Sequence, residues 1–447
     1  MASAPAFDAQ YRLEDRYRVE SGRVFLTGNQ ALVRLPLMQR QRDLAAGLNT
    51  AGFISGYRGS PLGIFDMNLW QAKSVLDEHC IRFEPGLNED LAASAVWGSQ
   101  QATLHDRPTV DGVFGLWYGK GPGVDRSCDA LKHANHAGTA AHGGVLALTG
   151  DDPGAKSSSI AHQSEPALIH CGIPILHPSS VQDYVDFGLY GWALSRYSGC
   201  WVGFKCLTDT IDSSGSIEVS PDRVQIVTPD DFDLPPDGLN IGWGNLPLAV
   251  EERLFEQRLV AVRAFVRANG LDRVVLDAPR RRLGIITTGK AYGDLRQALE
   301  DIGLDDGKAR ELGVSIYKVA MTWPLEPEGI RRFARGHEQL LVVEEKRAII
   351  EEQIAAILYN ESERPRLLGK RDLEGRPLVS AVGELTPLAL AIVLRGWVSE
   401  HASEWQARLS PPAQTPDLTA QVGGLSRAPS FCSGCPHNRS TVVPEGS

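Results

Sequence analysis

Short apolar runs alternate with longer amphipathic stretches in two parts of the chain. In the first part, the runs of strand length are 52–56, 110–116, 144–148, 173–176 and 201–206, and the helical patterns are 32–48, 67–77, 90–104, 126–137 and 181–197. The second part repeats this alternation, with strands at 283–289, 314–319 and 340–343 and helices at 293–302, 327–334 and 349–358. Strands that alternate with such helices predict parallel sheets covered on both faces. We therefore predict an α/β protein with two doubly wound parallel-sheet domains.

Stretches without this alternation divide the chain. Residues 1–20 are charged and lack periodicity, which is typical of an arm. Proline and aspartate are concentrated between 229 and 238, a charged helix follows at 248–269, and the chain turns polar again after Val398. The predicted parts are an arm at 1–20, a first domain at 21–220, a linker and helix at 221–280, a second domain at 281–400, a linker at 401–429 and a further segment at 430–447.

Composition argues against several classes of partner. The net charge of -10 over 447 residues argues against a nucleic-acid footprint and against a polybasic membrane surface. No run reaches the roughly 18 uninterrupted apolar residues that a membrane span needs. Residues 1–10 also lack the charged and apolar regions of a signal peptide. We expect a cytoplasmic protein that binds neither nucleic acid nor membranes.

Cysteine usage does not fit a secreted disulfide framework. Five of the seven cysteines stand singly, at Cys80, Cys128, Cys171, Cys200 and Cys206. The remaining two, Cys432 and Cys435, form a CxxC motif in the stretch Cys-Ser-Gly-Cys-Pro-His-Asn. On spacing alone the pair suits a zinc half-site, a redox dithiol or two loop thiols, because a tetrahedral sulfur site needs four ligands.

Two neighbouring segments carry the main candidate chemistry. The sequence Gly-Tyr-Arg-Gly-Ser-Pro-Leu-Gly at 56–63 follows an apolar strand as a tight turn, and ligands of open α/β sheets bind at such strand ends. About thirty residues later a Pro-Gly break precedes Asn88, a predicted N-cap, and an alanine-rich helix with Glu89 in its first turn. Glu89 has a structural explanation, since a carboxylate there stabilises the helix dipole by roughly 0.3–1 kcal/mol. Glu84 is the competing carboxyl group.

Three further motifs follow predicted strands. Tyr-Gly-Lys-Gly-Pro-Gly at 118–123 can present backbone N–H groups to an anion, but it lacks the ending of a Walker loop. Gly-Asp-Asp-Pro-Gly-Ala-Lys-Ser-Ser at 150–158 is readily explained as a turn, and His162 follows it. Glu344, Glu345 and Lys346 are predicted to form a solvated strand end.

Taken together, the motifs GYRGSPLG, PGLNEDLAA, GDDPGAKSS and CSGCPHN resemble the thiamine-diphosphate-dependent 2-oxoacid:ferredoxin oxidoreductases, most closely the large fused indolepyruvate ferredoxin oxidoreductases. The resemblance extends from about Tyr17 to Ser447. It implies that 21–220 is a pyrimidine-binding domain, that 281–400 is a transketolase C-terminal-like domain, and that 430–447 begins a diphosphate-binding domain. We therefore expect an N-terminal part of a longer polypeptide, inactive by itself.

The resemblance also assigns roles to residues. It implies that Glu89 contacts the aminopyrimidine of the cofactor and exchanges the proton that activates it. It further implies that Ser60 faces the substrate with Arg58 adding charge, and that Lys120, Gly121 and His437 lie beside the cofactor. Cys432 and Cys435 would supply half the ligands of a 4Fe-4S cluster, and the ligands of Mg²⁺ would come from the missing part. Lys156 stands where we expect histidine in two-subunit relatives, and 160–163 also departs from the pattern.

The implied reaction is oxidative decarboxylation of a 2-oxoacid, such as indolepyruvate or another aryl pyruvate. Its product would be an acyl-CoA formed from coenzyme A, with ferredoxin as electron acceptor, and the enzyme would be a homodimer. A non-oxidative thiamine-dependent decarboxylase or transketolase-like component is an alternative that needs no cluster cysteines. A non-catalytic, partner-binding α/β protein is another, and it predicts that Glu89→Gln changes nothing.

Overall fold

The computed structural model describes residues 10–105, 107–242, 246–401, 403–411 and 437–446. In this part of the chain the strands are β1 (Gly22–Thr27), β2 (Ala51–Gly56), β3 (Ile81–Phe83), β4 (Val113–Lys120), β5 (Val145–Asp151), β6 (Ile175–Leu176), β7 (Trp201–Leu207), β8 (Ser214–Val219), β9 (Arg273–Leu276), β10 (Leu283–Thr288), β11 (Val314–Val319), β12 (Met321–Trp323), β13 (Gln339–Val343) and β14 (Arg366–Leu368).

Helices connect most of these strands. They are α1 (Asp15–Arg18), α2 (Gly28–Ala45), α3 (Gly63–Gln71), α4 (Lys73–Glu78), α5 (Glu89–Gln100), α6 (Gly121–Arg126), α7 (Cys128–Ala137), α8 (Glu165–His170), α9 (Val181–Ser198), α10 (Thr208–Ile211), α11 (Pro247–Glu252), α12 (Leu259–Ala268), α13 (Gly289–Asp301), α14 (Asp306–Leu312), α15 (Pro327–Ala334), α16 (Ile350–Leu358), α17 (Pro387–His401) and α18 (His437–Ser440). A π-helical turn at Arg253–Arg258 joins α11 to α12, and 3₁₀ turns lie at Ala102–Leu104 and Ser403–Arg408.

The first unit is built on a seven-stranded sheet in the order β12-β6-β7-β5-β4-β2-β3. The strands from residues 51–207 all run parallel, and β12 lies antiparallel to β6 at one edge. Every residue of β5 and β7 is buried, as expected for central strands of a parallel sheet covered on both faces. Because parallel strands end at the same edge, the loops after β2, β4 and β5 lie side by side.

Helices cover both faces of this sheet. One face packs against α2 and α9, and the other packs against α5, α7 and α8. Thr27 and Gln30 form a capping box that begins α2, and Ser180 caps α9 through the backbone N–H of Asp183. The antiparallel pair β1 and β8 lies beside the main sheet. Helix α1 is tied to α2, because the carbonyl oxygen of Arg16 accepts a hydrogen bond from the Arg34 side chain.

The second unit has a five-stranded sheet in the order β14-β13-β10-β11-β9. Its strands are parallel except for β9, which runs antiparallel to β11. Apolar side chains of α13 and α17 cover one face, and those of α15 and α16 cover the other. The predicted fold class, α/β with parallel sheets, is therefore confirmed.

The structure places several segments that the periodicity did not predict. The edge strands β3, β12 and β14 and the pair formed by β1 and β8 gave no clear signal in the sequence. Within 221–280, expected to be linker and helix, α12 packs into the core of the first unit and β9 joins the sheet of the second. Of 430–447, the structure describes 437–446, including the helical turn α18. No helix among the described residues is long and apolar enough to cross a membrane.

Candidate active site

Glu89 is the first residue of α5 and is buried, with 6% of its surface exposed. Asn88 caps the helix by accepting a hydrogen bond from the backbone N–H of Leu91 at 2.9 Å. The carbonyl oxygen of Glu89 accepts a hydrogen bond from the indole N–H of Trp117 at 3.0 Å, which ties the start of α5 to β4. The residue is therefore held at the edge where the parallel strands end.

Two glycines make room for the Glu89 side chain. A Cβ added at Gly123 would lie 2.5 Å from Glu89 Oε1, and one added at Gly119 would lie 3.4 Å from Glu89 Cγ. Among the described residues neither carboxyl oxygen has a hydrogen-bond partner, and neither is completely covered. Glu84, by contrast, is exposed and pairs with Arg82 at 3.0 Å. The Glu89 side chain is thus buried among its neighbours, while its two carboxyl oxygens remain partly accessible and lack a hydrogen-bond partner among the described residues.

Ser60 lies on the neighbouring loop after β2 and is exposed. Its hydroxyl oxygen accepts a hydrogen bond from the Ser157 hydroxyl at 2.7 Å. Ser157 is in turn positioned by Asp152, whose carboxylate accepts a hydrogen bond from the Ser157 backbone N–H at 2.8 Å. The loops 57–62 and 151–159 therefore meet through two hydroxyl groups, while Arg58 points out from the same turn as an exposed cation.

Lys120 and Gly121 lie between these loops and Glu89. Gly59 approaches Lys120 so closely that an added Cβ would lie 2.7 Å from Lys120 Cδ. Gly121 begins α6 and is buried against the imidazole of His162, which would collide with a Cβ at that position. The structure thus brings Ser60, Lys120, Gly121 and Glu89 to one edge of the sheet.

His162 bridges two carboxylates at this edge. Its Nε2 is 2.8 Å from Asp125 Oδ2, and its Nδ1 is 3.3 Å from Asp151 Oδ1. The hydrogen bond with Asp151 raises the pKa of His162 to about 9, with burial opposing the shift and Asp125 adding to it. Although burial opposes ionisation of Asp151, its contacts with His162, Lys205 and Ser164 hold its pKa below the usual value.

Lys205 provides a buried cation behind this bridge. It forms an ion pair with Glu165 and lies 3.6 Å from Asp151 Oδ2. Burial alone would lower the pKa of Lys205, but Glu165 and Asp151 together raise it. Sequence reasoning noted His162 and missed Asp125 and Lys205, because these residues come from separate elements that only the fold brings together.

Apolar side chains are exposed around the opening. They belong to the turn after β2, to α3 and to the loop and first turn of α5, and they are Tyr57, Ile64, Met67, Trp70, Leu87 and Leu91. Leu87, two residues before Glu89, is 85% exposed. Exposed apolar groups clustered near a site are typical of a surface that another protein body covers.

The second unit contacts the loop 151–163. Lys156 pairs with Glu384 at 2.9 Å, and Lys346 donates a hydrogen bond to the carbonyl oxygen of Pro153 at 3.0 Å. The expectation that 344–346 forms a solvated strand end is wrong, since Glu344 and Glu345 are 3% and 4% exposed. The chain after β13 folds back over them and removes them from water.

Glu344 has a structural role. Its carboxylate accepts hydrogen bonds from the backbone N–H groups of residues 349, 350 and 351 at 2.9 to 3.0 Å, which anchors the start of α16. Burial raises its pKa to about 7, and the same hydrogen bonds limit that rise. Glu345 accepts a hydrogen bond from the backbone N–H of Leu385 at 2.7 Å.

The predicted cluster ligands Cys432 and Cys435 lie outside the described residues, and of His437 the structure gives only its place at the start of α18. Within the described ranges no three His, Cys, Asp or Glu side chains are grouped so that they could hold a metal ion. A cavity of about 670 Å³ lies between α2, α9 and the segment 221–240, and its lining includes neither Glu89 nor Ser60.

The fold defines the class of protein. The structure superimposes on a 2-oxoglutarate:ferredoxin oxidoreductase from Magnetococcus marinus with a TM-score of 0.59 and 16% sequence identity, covering 84% of this chain and 65% of that chain. That protein was solved with 2-oxoglutarate, coenzyme A and succinyl-CoA bound. At this level of identity the similarity establishes a shared fold, and the fold of this chain is that of a 2-oxoacid oxidoreductase.

Sequence comparison gives the particular relationship. Residues 273–411 match the family model of the indolepyruvate oxidoreductase domain. The chain is 24% identical over 430 residues to indolepyruvate oxidoreductase subunit IorA of Methanothermobacter marburgensis, covering 93% of this chain and 59% of the relative. It is 23% identical over 427 residues to the subunit IorA of Pyrococcus abyssi, covering 93% and 58%. The resemblance to the indolepyruvate oxidoreductases is thereby confirmed, and the chain spans about three fifths of the length of these relatives.

Proposed function

We propose that the chain supplies the activating carboxyl group and one wall of the substrate cleft in a thiamine-diphosphate-dependent oxidoreductase. The enzyme would oxidatively decarboxylate 2-oxoacids, indolepyruvate or other aryl pyruvates among them, to acyl-CoA, with coenzyme A as co-substrate and ferredoxin as electron acceptor. The single observation that carries this proposal is Glu89, a buried carboxyl group with open oxygens at the carboxyl end of a parallel sheet.

The surroundings of Glu89 fit the aminopyrimidine of thiamine diphosphate. Side chains are absent at Gly119 and Gly123, so backbone approaches the carboxyl group closely on the α6 side. The oxygens lack partners among the described residues, and a ring nitrogen would satisfy one of them. When bound, thiamine diphosphate supplies a nucleophilic carbon that adds to a keto group and holds the electron pair released when carbon dioxide leaves.

Glu89 is the group that would exchange a proton with a ring nitrogen of the cofactor. The α5 N-terminus fixes the position of this proton, because Asn88 and Trp117 tie the first turn to its neighbours. Ordering the group before the cofactor arrives reduces the reorganisation that the reaction requires.

The loops beside Glu89 suit the carboxylate of a 2-oxoacid. The hydroxyl groups of Ser60 and Ser157 lie within hydrogen-bond distance of each other, so both can turn toward one anionic oxygen. Lys120 and Arg58 add positive charge to the same edge. Charge-assisted hydrogen bonds of this kind are roughly twice as strong as neutral ones.

The remaining parts of the proposal come from the resemblance. Cys432 and Cys435 would bind a 4Fe-4S cluster with ligands from elsewhere, His437 would lie near the cofactor, and Mg²⁺ would be held by groups outside this sequence. We propose a cytoplasmic homodimer in which the exposed apolar surface around Leu87 is covered by the diphosphate-binding part. The electrons would leave through iron–sulfur centres to ferredoxin.

Substitution of Glu89 by glutamine in the full enzyme tests the proposal. The amide keeps the shape but cannot exchange the proton, so we expect 2-oxoacid-dependent reduction of ferredoxin to fall by roughly two orders of magnitude or more. Thermal unfolding of this chain should hardly change, because the Glu89 carboxyl group accepts no hydrogen bond from the described residues, and the backbone bond with Trp117 is kept. Glu84→Gln, at an exposed carboxyl group five residues earlier, is the matched control and should keep full activity.

Two results would argue against the proposal. Full activity in Glu89→Gln would favour a protein in which this site binds a partner and carries out no chemistry. Carbon dioxide release without reduction of any low-potential electron acceptor would instead identify a non-oxidative thiamine-dependent enzyme.

A further inference from the structure

We infer that His162 is a positioning residue that holds the first turn of α6 against Glu89, and that it does so as an imidazolium bridging Asp125 and Asp151. This inference rests on the proposed function, since it gives that turn the task of shaping the Glu89 site. His162 belongs to the stretch 160–163, where the sequence departs from the pattern of the resemblance.

The turn 121–123 is held between two side chains. On one side the imidazole of His162 packs directly on Gly121, where a Cβ would collide with the ring. On the other side the Glu89 carboxyl group lies against Gly123, where a Cβ would be 2.5 Å from Oε1. Any displacement of this turn therefore changes the space available to the Glu89 carboxyl group.

His162 is attached at both ends. Asp125 lies on α6 itself, 2.8 Å from Nε2, whereas Asp151 ends the central strand β5 and lies 3.3 Å from Nδ1. The Asp151 side chain is fully buried and also accepts hydrogen bonds from the backbone N–H and hydroxyl of Ser164 at 2.8 and 2.5 Å. The bridge thus connects a short helix to the most rigid part of the sheet.

The protonated ring is the form that the geometry favours. A neutral imidazole carries one N–H and could donate to only one carboxylate, leaving the other facing a lone pair, whereas the imidazolium donates to both. Behind the bridge, Lys205 lies 3.6 Å from Asp151 and pairs with Glu165. Two further titratable groups act on these residues: the buried His177 interacts with Asp151 and Lys205, and Glu345 interacts with Lys205. The His162 side chain is 10% exposed and Asp151 is fully buried, so water does not readily replace the hydrogen bond between them, whereas the Asp125 end of the bridge is exposed.

The sign of the pH dependence follows from this arrangement. The pKa of His162 is raised from 6.5 to about 9, so the bridge is fully formed below pH 6.5 and is lost as the pH rises through about 9. The start of α6 should therefore loosen in mildly alkaline solution, and the proposed activity should fall in the same range.

Amide hydrogen exchange on this chain, without cofactor, tests the positioning role directly. In His162→Gln we expect peptides covering 119–127 to exchange about tenfold faster near neutral pH, because local opening becomes easier, while peptides of α13 stay unchanged. His133→Gln is the matched control, since His133 is exposed and lies 3.7 Å from Asp129. If His162→Gln does not fold, Asp125→Ala removes only the exposed end of the bridge, and the same peptides should still exchange faster.

A pH profile of the full enzyme distinguishes positioning from general stability. We expect kcat/KM to fall above pH about 9 in the wild type, and His162→Gln to lower it about tenfold at neutral pH while abolishing that alkaline fall. Unchanged exchange in 119–127 would overturn the inference whatever Glu89→Gln does. Unchanged exchange combined with an inactive Glu89→Gln would overturn it and leave the proposed function standing, whereas faster exchange with a fully active Glu89→Gln would overturn the proposed function instead.

Discussion

Glu89 and Glu344 occupy comparable places in the two α/β units, each buried at the carboxyl edge of a sheet and next to the start of a helix. They differ in what their oxygens contact. The Glu344 carboxylate accepts three backbone hydrogen bonds that hold the start of α16, whereas the carboxyl oxygens of Glu89 have no hydrogen-bond partner among the described residues. Burial of a carboxyl group therefore does not by itself identify a reactive site, and unfilled hydrogen-bonding capacity at an opening is the more informative feature.

The same contrast holds for the whole carboxyl edges of the two sheets, in the first and the second unit. The first edge gathers charged and hydroxyl groups on loops that face an opening, while the second edge folds its loops over its own carboxylates. Three pairs of substitutions test this difference, and they are described from the largest expected effect on stability to the smallest.

Lys205→Met should have the largest effect. Methionine removes the buried cation that faces Glu165 and Asp151, and breaking such a pair from one side costs about 3–5 kcal/mol. Lys73→Met, which loses an exposed pair with Asp77, should change the free energy of unfolding by less than about 1 kcal/mol. Denaturant unfolding of both variants measures the difference, and equal midpoints would mean that buried charge does not hold the first edge.

Glu344→Ala should destabilise the second unit by about 3 kcal/mol, because three backbone N–H groups lose their shared acceptor. Glu89→Ala removes a carboxyl group without such bonds and should cost less than about 1 kcal/mol, the size of a helix-dipole effect. Calorimetry on the two variants measures this difference. If Glu89→Ala proved more destabilising than Glu344→Ala, the assignment of a structural role to Glu344 and not to Glu89 would be wrong.

Gly123→Ala and Gly293→Ala form the mildest and most specific comparison. Both glycines lie in helices, but an added Cβ meets Glu89 Oε1 at 2.5 Å in the first case and has nothing within 4 Å in the second. Gly293→Ala should stabilise the protein by about 0.5–1 kcal/mol and keep its activity. Gly123→Ala should lower the proposed activity roughly tenfold or more by displacing the carboxyl group, with little change in unfolding temperature.

Much of the fold was predictable because central parallel strands are continuous apolar runs. Strands such as β5 and β7 are buried on both faces and stand out in the sequence. The three-residue strands β3, β12 and β14 lie at sheet edges, where little burial is required and the pattern is too short to read. The position of Glu89 at the start of α5 was predictable from the N-cap residue Asn88 and the helical pattern after it. The motif resemblance suggested the role that we propose for it.

Two parts of the site were not predictable from local pattern. Glu344 and Glu345 were expected to be solvated because a charged triplet follows a strand, yet their partners lie at residues 349–351 and at Leu385. His162 was noted, but its partners Asp125 and Asp151 come from a helix and a strand that only the folded sheet brings together. The contacts with Leu385, Asp125 and Asp151 join distant parts of the chain, and those with 349–351 depend on how the loop after β13 folds, so neither set follows from the local sequence pattern.

The short strand β12 has a consequence for how the two units can move. Although it follows β11 of the second sheet, it is hydrogen-bonded to β6 of the first, so one unit contributes a strand to the other. A hinge that opened the two units widely would have to break this pairing and expose the buried groups between them. Entry and exit of small molecules should therefore depend on shifts of surface loops around a single stiff frame, and cross-linking the two units should leave turnover unimpaired.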